Sequence, residues 1–521
     1  MSVTLRDLLV GLETIGQPTD LDIPILGLAY DSRQVRPGWL FVAVRGFHVD
    51  GHQYVDHALK AGAVALVVDV RHWDGPTTLG VPLITVADSR VALAPLAANF
   101  YARPGAQLRT IGITGTKGKS TTTDLVSQVL EGGGLSTGMI STVDFKIGSR
   151  RWPNTTRQST PEAPEIQGLL REMVDAGCTY AVLESTSHAL SPHWNRLGNV
   201  YFDVAVFLNV THEHLDYHGS FEQYRADKTR LFALLGEGQS EACCHLGAGS
   251  ERAVWAIANA DDPNYQFFLD AAPIYARRLT FGVRAEADLR AHEVQTGPSG
   301  SHLRVTTPWG EAQIHLQIPG SFNVSNALAA LSVALSQGVP LERAIAALEA
   351  VPGIRGRMQP IHMGQPFDVI VDYAHNPDSF EQVLSMLRPL TKGRIIAVFG
   401  SAGERDRAKR AVQGEIAGRY ADLLVLTDED PRGEDPAAII AELVEGAERV
   451  GKRSGDGYCC IPNRSEAIHV AIAAAQPGDL VLLLGKGHEG TIIYASGAIP
   501  WDEAEVARQA LRSLGYPVSD A

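Results

Sequence analysis

The chain predicts a three-domain α/β fold with mainly parallel sheets, and three observations carry that expectation. Its 521 residues exceed one ordinary core and suit three domains at about 100–200 residues each. From Leu108 an apolar strand, a glycine-rich loop and a polar helix start open a run of strand–helix alternation, the pattern of a parallel sheet with helices packed on it. Beyond Val351 four apolar runs ("FDVIVDYA", "RIIAVFG", "DLLVLTD", "DLVLLLG") alternate with helical segments, each ending in polar residues or glycine. Such runs predict a Rossmann-like open sheet with functional groups at the carboxyl ends of its strands.

The first hundred residues mix short β-rich runs, "LFVAV" and "AVALVVD", with the helical stretches "HQYVDHALKAGA" and "VALAPLAANFYA". The break "RPGAQ" at Arg103–Gln107 closes a small α/β domain, expected over residues 1–106. A central domain, expected over 107–352, holds the glycine loop. It also holds a period-two stretch, "HLRVTTPWGEAQIHLQI", that predicts antiparallel strands joined to the parallel sheet. "VPGIRGRMQ" follows the clean helix "LERAIAALEA", and its breakers set the start of a third domain, expected over 353–521.

Composition excludes some functions. Apolar residues make up 45% and charged residues 20%, a soluble globular profile. The 45 basic against 59 acidic residues leave a net charge of −14, which argues against nucleic acid or an anionic membrane as a partner. Any phosphate must therefore be held by a local site. No apolar run reaches the length of a membrane span, and "MSVTLRDLLVGLETIGQ" lacks the pattern of a secretory signal, so a cytoplasmic protein is expected. The five cysteines, Cys178, Cys243, Cys244, Cys459 and Cys460, have no C-x-x-C spacing and are expected to be buried small apolar groups.

"LRTIGITGTKGKSTTTDLV" is a strand, a glycine turn and a helix start. Gly115 and Gly118 let backbone N–H groups face a polyphosphate, and Thr116, Lys117 and Thr121 of the same stretch are candidate ATP-binding residues. Lys119 would neutralise phosphate oxygens and Ser120 offer a hydroxyl to Mg²⁺. The strict pattern G-x-x-x-x-G-K-[ST] would need glycine where Ile113 stands. Glu184 ends the strand "YAVLE" and reads either as a Mg²⁺ ligand or as an ordinary strand-end acid. "NVTHEHLDYHG" ends the next strand with His212, His214 and His218, a density that favours function over structure. "TDEDPRGEDP", Thr427–Pro436, sets five acids around Arg432 and reads either as a solvated turn or as a pocket wall.

With the phosphate loop in hand, the chain resembles the Mur ligase superfamily, whose loop reads T-G-T-x-G-K-[ST]. Further matches occur in the family's order: "YDSRQVRPGWLFVAVRG", "LESTSHAL", "NVTHEHLDYHG", "GSFNVSNALAA", "GRM", "DYAHNPDS", "GERDRAKR", "DEDPRGEDP" and "GKGHEG". Within the superfamily they look most like the tripeptide-forming branch. The resemblance implies a uridine-nucleotide domain, a central P-loop ATPase-type domain and a C-terminal domain for the incoming amino acid. It also implies an ATP-dependent, ADP-forming ligase that adds a diamino acid to UDP-N-acetylmuramoyl-L-alanyl-D-glutamate through an acyl phosphate, as a monomer in peptidoglycan precursor synthesis. Folylpolyglutamate synthase shares the architecture, but "YDSR" and E-D-P-R argue against it. A catalytically silent partner subunit is a third reading, opposed by Lys119, Glu184, His214 and Lys228.

Carried over residue by residue, the resemblance makes Lys119, Glu184, His214 and Lys228 the catalytic set. Ser120, Glu184, His214 and a carbamylated Lys228 become the Mg²⁺ environment. Carbamylation would turn a cation into a carboxylate-like anion able to position the metal. Asn323 and Asn326, read as preceding a helix, are implied near the ATP base, with Arg357, Asp372 and His375 completing the ATP site. Ser32, Arg33 and His48 are implied at the uridine diphosphate, and Thr160, Thr186, Ser187 and Arg196 at the muramoyl peptide. Trp194-Asn195 departs from the family there. Arg405, Glu429, Asp430, Arg432, Gly485 and Glu489 are implied at the amino acid. Members that add meso-diaminopimelate usually carry D-N-P-R where this chain has E-D-P-R. Arg432 keeps a partner for a distal carboxylate, whereas Asp430 adds a charge suited to an ammonium, so lysine and ornithine stay open beside diaminopimelate.

Overall fold

The computed structural model describes residues 3–16, 18–46, 49–156, 158–211, 218–238, 252–297 and 300–516. The chain divides into two compact units, Met1–Leu289 with Leu328–Ala344, and Arg290–Ala327 with Ile345–Ala521.

The first unit opens with a parallel four-stranded sheet in the order β1 (Gly27–Ala29), β2 (Trp39–Val42), β3 (Ala63–Asp69), β4 (Leu83–Val86). Side chains alternate across a strand, so Leu40 and Val42 join one apolar cluster with Leu93 and Leu96, while Phe41 joins another with Leu66 and Val68. The helix Ser89–Phe100 starts where the Asp88 carboxylate accepts from the N–H groups of Arg90 and Val91. The expected break is a single 3₁₀ turn, Pro104–Gln107.

A larger sheet follows. Its strands in this unit are β5 (Arg109–Thr114), β6 (Thr137–Ile140), β7 (Asp144–Ile147), β8 (Arg150–Pro153), β9 (Tyr180–Glu184), β10 (Phe202–Phe207), β11 (Trp255–Asn259) and β12 (Arg277–Gly282). Their spatial order is β12-β11-β10-β5-β9-β6-β7-β8, parallel from β12 to β6 and antiparallel beyond. Central β5 pairs Ile113 with Glu184 and Thr114 with Phe207, so the carboxyl ends of β5, β9 and β10 meet at one edge. The helices Lys119–Gly132 and Phe221–Ala233 lead away from that edge.

The second unit carries the antiparallel strands β13 (Leu289–Gly297), β14 (Gly300–Thr307) and β15 (Gly310–Leu316), as the period-two pattern predicts. Thr307 pairs with Gly310, leaving Pro308-Trp309 as the hairpin tip. Its main sheet runs β16 (Gln359–Pro360), β17 (Asp368–Asp372), β22 (Leu480–Leu484), β18 (Ile395–Phe399), β19 (Leu423–Leu426), β21 (Gly457–Cys460), β20 (Arg453–Ser454). The four apolar runs are its central strands β17, β18, β19 and β22. They pack on both faces, Ala397, Leu424 and Leu482 into one cluster and Val398, Val425 and Val481 into the other. A separate hairpin joins β23 (Thr491–Tyr494) to β24 (Gly497–Pro500).

Two expectations need correction. Asn323 and Asn326 lie inside the helix Ser321–Ser336 rather than before it; the Asn323 amide donates to Pro319 O at 2.7 Å and the Asn326 amide to Asn323 Oδ1 at 2.9 Å. They tie down the first turns from within. Among the described cysteines Cys178 is buried, but Cys459 is half-buried and Cys460 exposed, because both lie toward the end of β21.

Candidate functional site

The phosphate loop is set by one left-handed residue and one close approach. Gly118 has φ +88° and begins the helix Lys119–Gly132, a conformation that a Cβ would strain. A Cβ on Gly115 would lie 3.0 Å from Leu208 Cβ, so glycine lets the loop lie against the end of β10. Asn209 then grips it: Thr116 N donates to Asn209 O at 2.8 Å, Lys117 N to Asn209 Oδ1 at 2.9 Å, and Asn209 Nδ2 to Lys117 O at 3.0 Å. The Tyr224 hydroxyl reaches Thr116 Oγ1 at 3.1 Å, and Thr116 Oγ1 also accepts from Thr211 N.

Two ammonium groups converge on this loop. Lys119 Nζ donates to Gly115 O at 3.0 Å and to Thr116 O at 2.9 Å; Lys228 Nζ donates to the same Gly115 O at 2.8 Å and lies 4.5 Å from the Tyr224 ring centroid. Lys228 is buried. Beside them Ser120 Oγ donates to Glu184 Oε2 at 2.9 Å, and the same oxygen accepts from Thr142 N and Oγ1. Thr121, next in the helix, is buried.

A cleft of about 220 Å³ joins Lys119 and Lys228 to Thr160, Thr186, Ser187 and Arg196. Thr160 Oγ1 donates to Glu184 O at 2.8 Å and meets Thr186 Oγ1 at 3.1 Å. After the Trp194-Asn195 departure Arg196 still lines the cleft: Asn195 takes φ +45°, Trp194 packs between Arg90 and Arg196, and Arg196 pairs with Glu162 at 2.8 Å while donating to Thr160 O. Ser32 is buried, whereas Arg33 is exposed and paired with Asp31 at 2.6 Å. His48 and His214 lie outside the described residues. Among those described, no three His, Cys, Asp or Glu side chains gather as a metal cluster. Magnesium asks less than that. It keeps several waters and takes one or two protein oxygens plus phosphate, and the paired Ser120 hydroxyl and Glu184 carboxylate fit such a role.

In the second unit, Asp372 Oδ2 accepts from Met358 N at 2.7 Å and Oδ1 from Ala374 N at 2.8 Å, and burial raises its pKa. The Arg357 guanidinium lies 4.9 Å from the Tyr373 ring centroid. His375 Nδ1 donates to Tyr373 O at 2.9 Å, and burial lowers its pKa.

The acidic stretch divides by role. Asp435 caps the helix Pro436–Arg449, and Glu434 pairs with fully buried Arg410 at 2.9 Å. Asp428 and Glu429 are buried after β19; burial pushes Glu429 up to about 7, and its Oε2 has no hydrogen-bond partner among the described residues. Gly485 lies against that carboxylate, since a Cβ there would come 2.6 Å from Glu429 Oε2. Asp430 Oδ1 accepts from Lys486 Nζ at 2.8 Å and from Ile493 N at 2.9 Å, while Lys486 also pairs with Glu489 at 2.6 Å. Glu489 in turn accepts from the Tyr373 hydroxyl at 3.2 Å. Asp430 is therefore not an uncompensated charge, because Lys486 meets it. Arg432 has φ +55°, and no side-chain ion pair holds it among the described residues. Arg405 is exposed on the neighbouring loop, where Gly403 N donates to Asp430 O at 2.8 Å.

Sequence reasoning missed Asn209, Thr142, Tyr224, Arg410 and Lys486. Three of them stood inside quoted motifs without being singled out: Asn209 opens "NVTHEHLDYHG", Arg410 closes "GERDRAKR", and Lys486 lies in "GKGHEG" between two residues already assigned.

A phosphate loop at the centre of a parallel sheet, opening on a cleft with two lysines, defines a phosphate-handling α/β enzyme. Family models agree: residues 24–101 match the Mur ligase family catalytic domain, 113–334 the Mur ligase middle domain, and 356–487 the Mur ligase glutamate ligase domain. A UDP-N-acetylmuramyl-tripeptide synthetase of Roseiflexus sp. (strain RS-1) is 60% identical over 492 residues, 94% of this chain and 95% of that protein. A UDP-N-acetylmuramoyl-L-alanyl-D-glutamate–2,6-diaminopimelate ligase of Geobacillus kaustophilus (strain HTA426) is 41% identical, covering 94% and 96%. A solved structure of a ligase with the same description matches with TM-score 0.67 at 27% identity, covering 99% of both chains. The chain belongs to the Mur ligase family, and like its relatives it is a ligase with three-domain α/β architecture.

Proposed function

We propose that this enzyme joins a carboxylate of UDP-N-acetylmuramoyl-L-alanyl-D-glutamate to a diamino acid at the expense of ATP, with meso-diaminopimelate the favoured amino acid. One observation carries the reading. The lysines on the phosphate loop and the polar groups Thr160, Thr186, Ser187 and Arg196 share one cleft, so a phosphoryl group and an acceptor carboxylate can meet there. The names of its relatives support the same substrate.

The substrate carboxylate attacks the γ-phosphoryl group of ATP and ADP leaves, giving an acyl phosphate. The amine then adds to the acyl carbon, loses a proton, and the tetrahedral intermediate expels phosphate. Lys119 balances charge on the β- and γ-oxygens, and the N–H groups of residues 118–121 hold the chain of phosphates, since those of Thr116 and Lys117 are engaged by Asn209. Ser120 and Glu184, with His214 and a carbamylated Lys228, would hold Mg²⁺, which neutralises phosphate oxygens when bound. Carbamylation adds CO₂ to the neutral Lys228 amine and releases a proton. Its buried position beside the phosphate loop suits the product. Asn323, Asn326, Arg357, Asp372 and His375 are assigned to the nucleotide, and Ser32, Arg33 and His48 to the uridine diphosphate.

Arg405, Glu429, Asp430, Arg432, Gly485 and Glu489 are assigned to the amino acid. Arg432, held by no carboxylate of the described chain, supports a substrate with a distal carboxylate. Residues 1–106, 107–352 and 353–521 are read as the three domains of a cytoplasmic monomer. No helix among the described residues is long and apolar enough to cross a membrane. The test is phosphate release with meso-diaminopimelate, L-lysine and L-ornithine side by side, each with and without the UDP-muramoyl-dipeptide. Release that requires both substrates supports the reading; release with folate and glutamate instead overturns it.

A further inference from the structure

Behind Ser187 stands a buried polar chain that the proposed reaction does not use. His218 Nδ1 lies 2.8 Å from Asp227 Oδ2, and His218 Nε2 lies 3.1 Å from Ser187 Oγ. All three residues are buried, and Asp227 Oδ1 also accepts from the Gln223 amide at 2.9 Å. The imidazole is fixed from its sides as well, with the Tyr224 ring 5.1 Å and the His188 ring 5.2 Å away.

Direction follows from chemistry. A carboxylate only accepts, so Nδ1 carries the hydrogen that points at Asp227. In the neutral ring Nε2 is then the acceptor, and the Ser187 hydroxyl donates to it. A hydroxyl has one hydrogen, so the face that Ser187 turns to the cleft holds only lone pairs.

We propose that Asp227 and His218 are positioning residues that hold Ser187 Oγ as a hydrogen-bond acceptor for an amide N–H of the substrate's peptide arm. Ser187 would otherwise be free to donate its hydrogen to a carbonyl or carboxylate. The chain instead commits it to reading a donor, which orients the arm relative to Lys119 and Lys228 across the same cleft. This inference rests on the ligase reading above.

The test uses the full-length enzyme with UDP-N-acetylmuramoyl-L-alanyl-D-glutamate and two analogues, each methylated at one peptide-arm amide nitrogen. Loss of one buried hydrogen bond to a positioned group should raise KM for the muramoyl substrate about ten- to a hundredfold in Ser187→Ala and His218→Asn. KM for ATP should stay within about twofold, because the phosphate loop is untouched. The double variant should lose no more than either single variant. One methylated analogue should be as poor on wild type as the natural substrate is on Ser187→Ala, and should lose nothing further on that variant. A purely structural role would lower the folded fraction and leave these ratios unmoved. The inference is overturned if His218→Asn leaves KM unchanged, if the single effects add, or if both methylated analogues behave on wild type like the parent. Should His218→Asn fail to fold, the analogues on wild type and Ser187→Ala decide alone. Stoichiometric labelling of Ser187 by a fluorophosphonate would also overturn it, by making Ser187 a nucleophile. A wild-type enzyme that releases no phosphate with the parent substrate sinks the ligase reading instead.

Discussion

Lys486 changes what its neighbours mean. Read alone, Asp430 in E-D-P-R looks like an added negative charge awaiting an ammonium; in the structure it is one partner of a fully buried cation. Replacing Lys486 by Met would strand Asp430 and Glu489 and should cost about 3–5 kcal/mol, the usual penalty for breaking a buried pair, read as a lowered midpoint in chemical denaturation. Glu429 is the acid left over. Its folded value of about 7 exceeds its ordinary 4.5, so the folded protein keeps a proton that the unfolded chain has already released. Stability should therefore fall as pH rises through that window. A Glu429→Gln variant should lose that slope, as melting curves at pH 5, 6 and 7 would report. For Arg432→Ala, a lost charge-assisted contact should cut kcat/KM for diaminopimelate about ten- to a hundredfold. The relative rate with lysine should shift in lysine's favour; an unchanged ratio would remove Arg432 from the pocket.

At the scale of elements, the loop after β5 and the helix it feeds act as one part. Lys119→Ala should abolish acyl-phosphate formation, followed by oxygen-18 transfer from the substrate carboxylate to phosphate, while circular dichroism stays that of wild type. The strands around it were legible because apolar runs ending in glycine or polar residues encode a buried parallel sheet. β5, β9, β17, β18, β19 and β22 all fall where those runs predict. The phosphate loop was legible as well, since its glycines and lysine are consecutive in sequence. What stayed hidden depends on partners far along the chain. Nothing near Asn209 announces that it clasps Lys117, 92 positions away, and nothing in "RADK" says that Asp227 holds His218. Asn323 and Asn326 lie inside the helix rather than before it; asparagine is common at helix starts, and asparagines that bond the preceding turn from within leave the same local trace.

For the molecule as a whole, the two compact units each carry their own apolar clusters, the first around β9 and β10 and the second on both faces of the β17–β22 sheet. Unfolding should therefore depart from two-state behaviour. Near-ultraviolet signals from Trp194 and Trp255 in the first unit and from Trp501 in the second should shift at different denaturant concentrations, tested by replacing each tryptophan with phenylalanine. The frame of the second unit has a further consequence. The loop bearing Glu429 and Arg432 is anchored by groups other than those two side chains. Arg410 binds Glu434, Arg464 donates to Asp428 O at 3.0 Å, and Gly403 admits the Pro431 carbonyl so closely that a Cβ would lie 2.0 Å from it. On the amino-acid assignment proposed above, scaffold and selector are then separate parts. A lineage could exchange the side chains at 429 and 432 without rebuilding the loop, whereas a change at Gly403 or Arg410 would disturb the loop itself.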